Sequence, residues 1–364
     1  MKLFSNYSLG NIELKNRIVL APLTRSRAIN NIPNELMAEY YRQRATAGLI
    51  ITEGTSPSAN GLGYARIPGI FNEEQIEGWK KVTDAVHQEG GKIFLQIMHT
   101  GRVSHSENMA EETEILAPSA LALAGEMYTD SQGMQAYPIP KEMTLKDIEN
   151  AQNEYVQASI NAIAAGFDGV EIHGANGYLI DQFINTASNY RTDDYGGAKE
   201  NRSRFAIEVA QKVVASIGAE KTGIRLSPYG VFNGMENFEG LEDTFEYLAG
   251  ELGKLKLAYV HIVDHSAMGA IEVKDSVKSK IRQSFGGTYI VSGGLDRAKA
   301  ETALEENKGE LAAFGRSFLA NPDLPFRLEN ELELNTPNFD TFYTPGEKGY
   351  TDYPFAEKNT TVNS

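Results

Sequence analysis

Short, nearly continuous apolar runs recur along the chain, each ended by a polar or glycine-rich turn. They fall at residues 18–20, 49–52, 92–98, 169–172, 222–226, 259–263, 289–291 and 311–314. Apolar runs of this length without alternation predict strands buried on both faces. Between them the apolar positions change period. Ile76, Trp79, Val82 and Val86 are spaced by three, three and four, which is one face of a helix. Leu145, Ile148, Ala151, Tyr155, Ile160 and Ile163 predict another helix before the fourth strand, and residues 241–252 and 273–285 predict two more. Eightfold alternation of strand and helix predicts an α/β fold closed as a (β/α)8 TIM barrel. An open, doubly wound sheet is the competing arrangement.

No linker-like stretch divides the 364 residues, and a barrel of this kind needs roughly 250 with room for insertions. Residues 1–364 therefore read as one barrel domain. Two segments exceed a minimal barrel. Residues 99–143 are turn-rich and predict an insertion that caps the barrel mouth, and residues 331–364 form a tail rich in Pro, Tyr and Asn. The net charge of −15 argues against a nucleic-acid partner but leaves a local anion site open. The absence of cysteine removes disulfides, thiolate nucleophiles and Cys-ligated metals. No run approaches the roughly 18 apolar residues of a membrane span, and residues 1–10 lack the basic start and apolar core of a secretory signal. The expected location is cytoplasmic, away from membranes, as monomer or homodimer.

Active sites of such barrels are built at the C-terminal ends of the strands. Those ends carry Thr24, Glu53, Gln96, His99, His173, Asn176, Tyr178, Arg225, His265 and Arg316. The seventh run ends in Ser292-Gly293-Gly294 and the eighth in Gly315-Arg316, where a phosphate site recurs in these barrels. Glycines let backbone N–H groups approach an anion, and the arginine offers a forked charge. The plainer alternative is two turn glycines and a surface arginine. His173 and Asn176 place two donors near one point, with the Tyr178 phenol beside them. That set suits a carbonyl that must become an enolate, although a satisfied core histidine fits the same pattern. No metal site is expected, because no second His or Asp stands at ligand spacing. Gln96 and Arg225 can read a planar heterocycle with several acceptors and one N–H, or else form an internal ion pair with Glu171.

Several motifs in order identify a family resemblance. Ala21-Pro22-Leu23-Thr24-Arg25, the 96–102 run, His173-Gly174-Ala175-Asn176-Gly177-Tyr178, Asn189-Tyr190-Arg191-Thr192-Asp193, Arg225-Leu226-Ser227-Pro228, Gly315-Arg316 and Gly349-Tyr350-Thr351-Asp352-Tyr353-Pro354 resemble the old yellow enzyme family, most of all its bacterial N-ethylmaleimide reductase branch. The resemblance covers roughly residues 3 to 355. It implies non-covalent FMN, with the ring held by Pro22, Leu23, Thr24, Gly54, Gln96 and Arg225, and the phosphate by Gly293, Gly294, Gly315 and Arg316. It also implies NAD(P)H as reductant and ping-pong hydride transfer from flavin N5 to Cβ of an electron-poor alkene. The substrates would be α,β-unsaturated carbonyls, maleimides and nitroalkenes. His173 and Asn176 would bind the activating oxygen, Tyr178 would protonate Cα, and Tyr343 would line the substrate side. Met98 stands where related enzymes often carry Trp, so pocket shape departs from theirs. Two rivals remain at this stage: a flavin-free barrel lyase or isomerase acting on a phosphorylated substrate, and a non-catalytic flavin-binding protein.

Overall fold

The computed structural model describes residues 1–357, the side chain of Met268 apart. Eight parallel strands close into a barrel: β1 (Ile18–Leu20), β2 (Leu49–Ile51), β3 (Ile93–Ile97), β4 (Gly169–Gly174), β5 (Thr222–Leu226), β6 (Tyr259–Ile262), β7 (Tyr289–Val291) and β8 (Leu311–Phe314). Each strand pairs with its successor and β8 pairs with β1, so the closed (β/α)8 barrel holds and the open sheet does not. The helices are α1 (Glu35–Gln43), α2 (Glu73–Gln88), α3 (Leu145–Ala164), α4 (Leu179–Ile184), α5 (Lys199–Ile217), α6 (Leu241–Lys254), α7 (Asp275–Phe285), α8 (Arg297–Glu305), α9 (Arg316–Ala320) and α10 (Leu324–Glu329).

Local signals set the longer helices. The Asn72 side chain accepts the Gln75 N–H at the start of α2, and Thr144 with Asp147 forms a capping box at the start of α3. The buried stripe of α3 runs through Ile148, Ala151, Tyr155, Ala158 and Ala162. Leu145 and Ile160, expected on that stripe, are exposed. They lie at the helix start and off its 3.6-residue track.

Two apolar layers result. One lies between strands and helices, and includes Ile18, Ile50, Trp79, Val82, Leu95, Tyr155, Phe205 and Leu248. The other fills the barrel interior with Val19, Leu49, Ile51, Phe94, Tyr259, Ile290 and Leu311. Leu9 and Leu14 join that inner layer from the antiparallel hairpin Tyr7–Leu9/Ile12–Leu14, so the hairpin plugs the end opposite the C-terminal strand ends. Chemistry is thereby confined to the other mouth.

The segment 99–143 carries structure of its own. A hairpin pairs Glu126–Thr129 with Gly133–Ala136, and Leu116–Ala117 runs parallel to Lys141–Glu142. Arg66 ties this segment to the rim: it is ion-paired with Asp130 and donates to the Tyr343 carbonyl at 2.9 Å.

The tail returns to the mouth and is fastened there. Arg25, Arg27 and Arg44 are all buried. Arg25 donates to the carbonyls of Phe342 (3.2 Å) and Gly349 (2.7 Å). Arg27 donates to Thr341, Phe342, Gly346 and Lys348. Arg44 donates to Leu319 in α9 at 2.6 Å, and its guanidinium lies 3.7 Å from the Tyr40 ring centre. Tyr40 in turn stacks on Tyr350 at 4.1 Å. Buried guanidinium groups are tolerable only when hydrogen-bonded, and here tail carbonyls supply most of the acceptors.

Candidate active site

A cavity of about 740 Å³ opens at the C-terminal ends of the strands. Pro22, Leu23, Thr24, Gln96, Met98, His173, Asn176, Tyr178, Arg225, Gly293, Gly294, Gly315, Arg316 and Tyr343 all line it. Gly54 does not. A Cβ there would stand 2.5 Å from Met98 Sδ, so Gly54 is the backing that lets Met98 lie against the strand. Glu53 and His99 also turn away from the mouth. Glu53 accepts the Arg25 N–H and faces the Tyr41 hydroxyl, while His99 is wholly buried with Nδ1 accepting the Gly101 N–H.

Loops contribute wall residues that periodicity missed. Tyr64, Phe232, Asn233, Phe339 and Phe342 belong to the lining. Two signals for them existed: the Asn233-Gly234 turn pair and the aromatic cluster Phe339, Phe342 and Tyr343.

At one end of the cavity the backbone is shaped for an anion. Gly293 and Gly294 have φ of 113° and 58°, and a Cβ on either would meet Asp264 or Ala267 within 2.7 Å. Only glycine fits this left-handed turn. Opposite it, Gly315 leads into α9 and presents that helix's first N–H groups. The Arg316 guanidinium makes no ion pair among the described residues and lies 5.5 Å from the Phe339 ring centre. The internal pairing of Arg225 with Glu171 is not formed either; Glu171 pairs with His261, and Arg225 Nε has no partner among the described residues.

At the other end stand His173, Asn176 and Tyr178. His173 Nδ1 accepts the Ala175 N–H at 3.3 Å, which leaves Nε2 as the donor. Burial and the nearby Arg225 push the His173 pKa well below its usual value, so the ring is neutral. Asn176 sits in the left-handed region (φ 60°), a conformation asparagine tolerates better than most residues. Its backbone is braced on both sides: its N–H donates to Ser227 Oγ at 2.9 Å, and its carbonyl accepts from Asn233 Nδ2 at 2.8 Å. Asp181 completes the brace by accepting from Gly177 N and Ser227 Oγ. The Asn176 carboxamide oxygen is left without a partner among the described residues. The Tyr178 hydroxyl donates to Tyr64 at 3.1 Å, and burial pushes its pKa up to about 12. It is a proton donor at neutral pH.

The residues fit FMN: a glycine cradle with a free arginine at one end, an amide and a guanidinium in the middle, and the neutral side chains of His173 and Asn176 beyond them. Among the described residues there is no group of His, Asp or Glu that could hold a metal ion. Residues 2–335 match the NADH:flavin oxidoreductase / NADH oxidase family. A probable flavin mononucleotide-dependent alkene reductase of Leishmania infantum is 42% identical over 95% of each chain. Morphinone reductase superposes with a TM-score of 0.94 at 41% identity, covering 100% of this chain and 98% of its own. The old yellow enzyme homologue from Zymomonas mobilis gives 0.93 at 40% identity, covering 97% of this chain and 99% of its own.

The chain belongs to the old yellow enzyme family. As a family member it is an FMN-dependent, NAD(P)H-consuming ene-reductase, which sets aside the flavin-free lyase and the non-catalytic flavoprotein. No helix of the described residues is long and apolar enough to cross a membrane. The two ends of this cavity differ in charge. One carries a positive charge and open N–H groups; the other carries only neutral donors.

Proposed function

We propose that this enzyme reduces the C=C bond of α,β-unsaturated carbonyls, maleimides and nitroalkenes, and that His173, Asn176 and Tyr178 carry the protein's share of the chemistry. The observation that supports this reading most is that His173, with Nε2 left as a donor, lines one cavity together with Asn176 and the Tyr178 hydroxyl. FMN, when bound, supplies the two-electron carrier between NAD(P)H and the β-carbon of the alkene. Pro22, Leu23, Thr24, Gln96 and Arg225 hold its ring, and Gly293, Gly294, Gly315 and Arg316 hold its phosphate. His173 and Asn176 orient the substrate's activating oxygen and stabilise charge developing on it. Tyr178 places its proton over Cα. Met98 and Tyr343 shape the substrate side, and the 99–143 segment shields the rim. Anaerobic stopped-flow tests the reading: the NADPH- or NADH-bleached enzyme should regain its flavin band when mixed with 2-cyclohexenone, N-ethylmaleimide or a nitroalkene. Failure with all three would exclude these substrate classes.

The phosphate assignment gives a separate prediction. Arg316→Ala should weaken FMN binding by about 10- to 150-fold, the equivalent of roughly 1.5–3 kcal/mol for a charged hydrogen bond. Fluorescence titration of the apoprotein with FMN measures it. An unchanged dissociation constant would place Arg316 away from the phosphate.

A further inference from the structure

Beneath the ring-facing side chains the barrel holds a carboxylate that the steps above do not use. Glu171 lies on β4 two residues before His173, so both side chains leave the same face of the strand. Strand register sets Glu171 opposite Gln96, and Arg225 opposite both His173 and His261. One carboxylate oxygen accepts Gln96 Nε2 at 2.8 Å, and the other lies 2.9 Å from His261 Nδ1. Gln96 is 2% exposed, and Glu171 and His261 are fully buried. Burial pushes the Glu171 pKa up, yet His261, Arg225 and Gln96 together hold it below its usual value.

Two consequences follow for the cavity. One hydrogen of the Gln96 amide is committed to Glu171, which fixes which way the carboxamide faces. Its carbonyl oxygen and second hydrogen are left for a ligand. The buried negative charge also stands behind Arg225, the cation nearest the ring-facing middle of the cavity. Burying an ionised carboxylate is costly, and a glutamine would avoid that cost while accepting one of the two hydrogen bonds. What glutamine lacks is the charge and the second acceptor oxygen.

We propose that Glu171 and His261 form a positioning dyad that locks the Gln96 amide toward the flavin pyrimidine and offsets the Arg225 charge there, making the bound ring harder to reduce. The inference rests on the placement of the pyrimidine at Gln96 and Arg225. Redox titration of FMN-loaded wild type, Glu171→Gln and Arg225→Gln tests both. Glu171→Gln should retain FMN and raise the reduced-to-oxidised ratio at a fixed poise by about tenfold, the scale of one unit charge about 12 Å away at an effective dielectric constant of about 20. Tenfold is about 30 mV for a two-electron couple. Arg225→Gln should shift the ratio the opposite way. If Arg225→Gln shifts the potential and Glu171→Gln does not, the dyad is overturned and the ring placement stands. If neither shifts it, both are overturned. A second readout needs no folded Glu171 variant. In 15N-histidine spectra of wild type, the ring whose signals vanish in His261→Asn should be a neutral Nδ1–H tautomer. An Nε2–H tautomer would mean that Glu171 holds the proton and has no charge to set against Arg225, which overturns the proposal.

Discussion

His173→Ala is expected to slow alkene reduction by roughly 10²–10³, the usual loss when one donor to a developing oxyanion is removed. The expectation follows from the ring's state. His173 is neutral, its Nδ1 is occupied by the Ala175 N–H, and Nε2 faces the cavity as a donor. A neutral donor stabilises charge that appears during the reaction more than the uncharged substrate. The loss should therefore fall on the rate of flavin re-oxidation at saturating alkene and appear with enones, maleimides and nitroalkenes alike. Asn176 stays in place, because its brace runs through Ser227, Asp181 and Asn233 and does not involve His173. Single-turnover re-oxidation measures the effect, with FMN content as the check on folding. Wild-type rates with every alkene would remove His173 from the oxygen-binding role.

Tyr178→Phe should separate substrates rather than slow them equally. The Tyr178 hydroxyl stays protonated at neutral pH, since burial pushes its pKa up to about 12, and it already holds a directed hydrogen bond to Tyr64. A proton with so high a pKa moves readily only to a strongly basic carbon. The α-carbon of a simple enone becomes such a base, and loss of a positioned acid typically costs about 10²–10⁴ in rate. A nitroalkene yields a nitronate, a stabilised anion that can leave and be protonated in water. In Tyr178→Phe, 2-cyclohexenone should turn over 10²–10⁴-fold more slowly, on the order given for general acids, while a nitroalkene still restores the flavin band. Bleaching by NAD(P)H should proceed, because that half-reaction takes no proton from Tyr178. Equal losses with both acceptors would point to a packing defect in place of a lost acid.

The barrel was readable in the chain because its strands are buried on both faces. Continuous apolar runs mark such strands, and the eight observed strands start within a residue of where those runs begin. Their ends then located Gln96, His173, Arg225, Gly293 and Arg316, since a strand end fixes a residue's height in the barrel. It does not fix direction. Glu53 and His99 sit at the right height and turn outward, one toward Tyr41 and the other into the core under Gly101. Tyr64, Phe232 and Phe339 come from loops, where no period exists to read. The small size of Gly54 serves the packing of Met98, which a sequence motif does not reveal. The dyad partner of Glu171 was also hidden. Arg225 was the alternative neighbour, and only the β5–β6 register brings His261 into play.

Arg25 and Arg27 sit on the loop after β1, yet their acceptors are carbonyls more than three hundred residues later. On the cavity wall, the Phe342 carbonyl is fastened by Arg25 and Arg27, and the neighbouring Tyr343 carbonyl by Arg66. The aromatic wall is thus not a module that can be exchanged by swapping the last thirty residues between relatives. A chimaera with a foreign tail would have to bring carbonyls placed to accept from both Arg25 and Arg27, or strand two buried cations without acceptors. Variation in the substrate wall and variation in the first barrel loop are for that reason one design variable, inherited or engineered together.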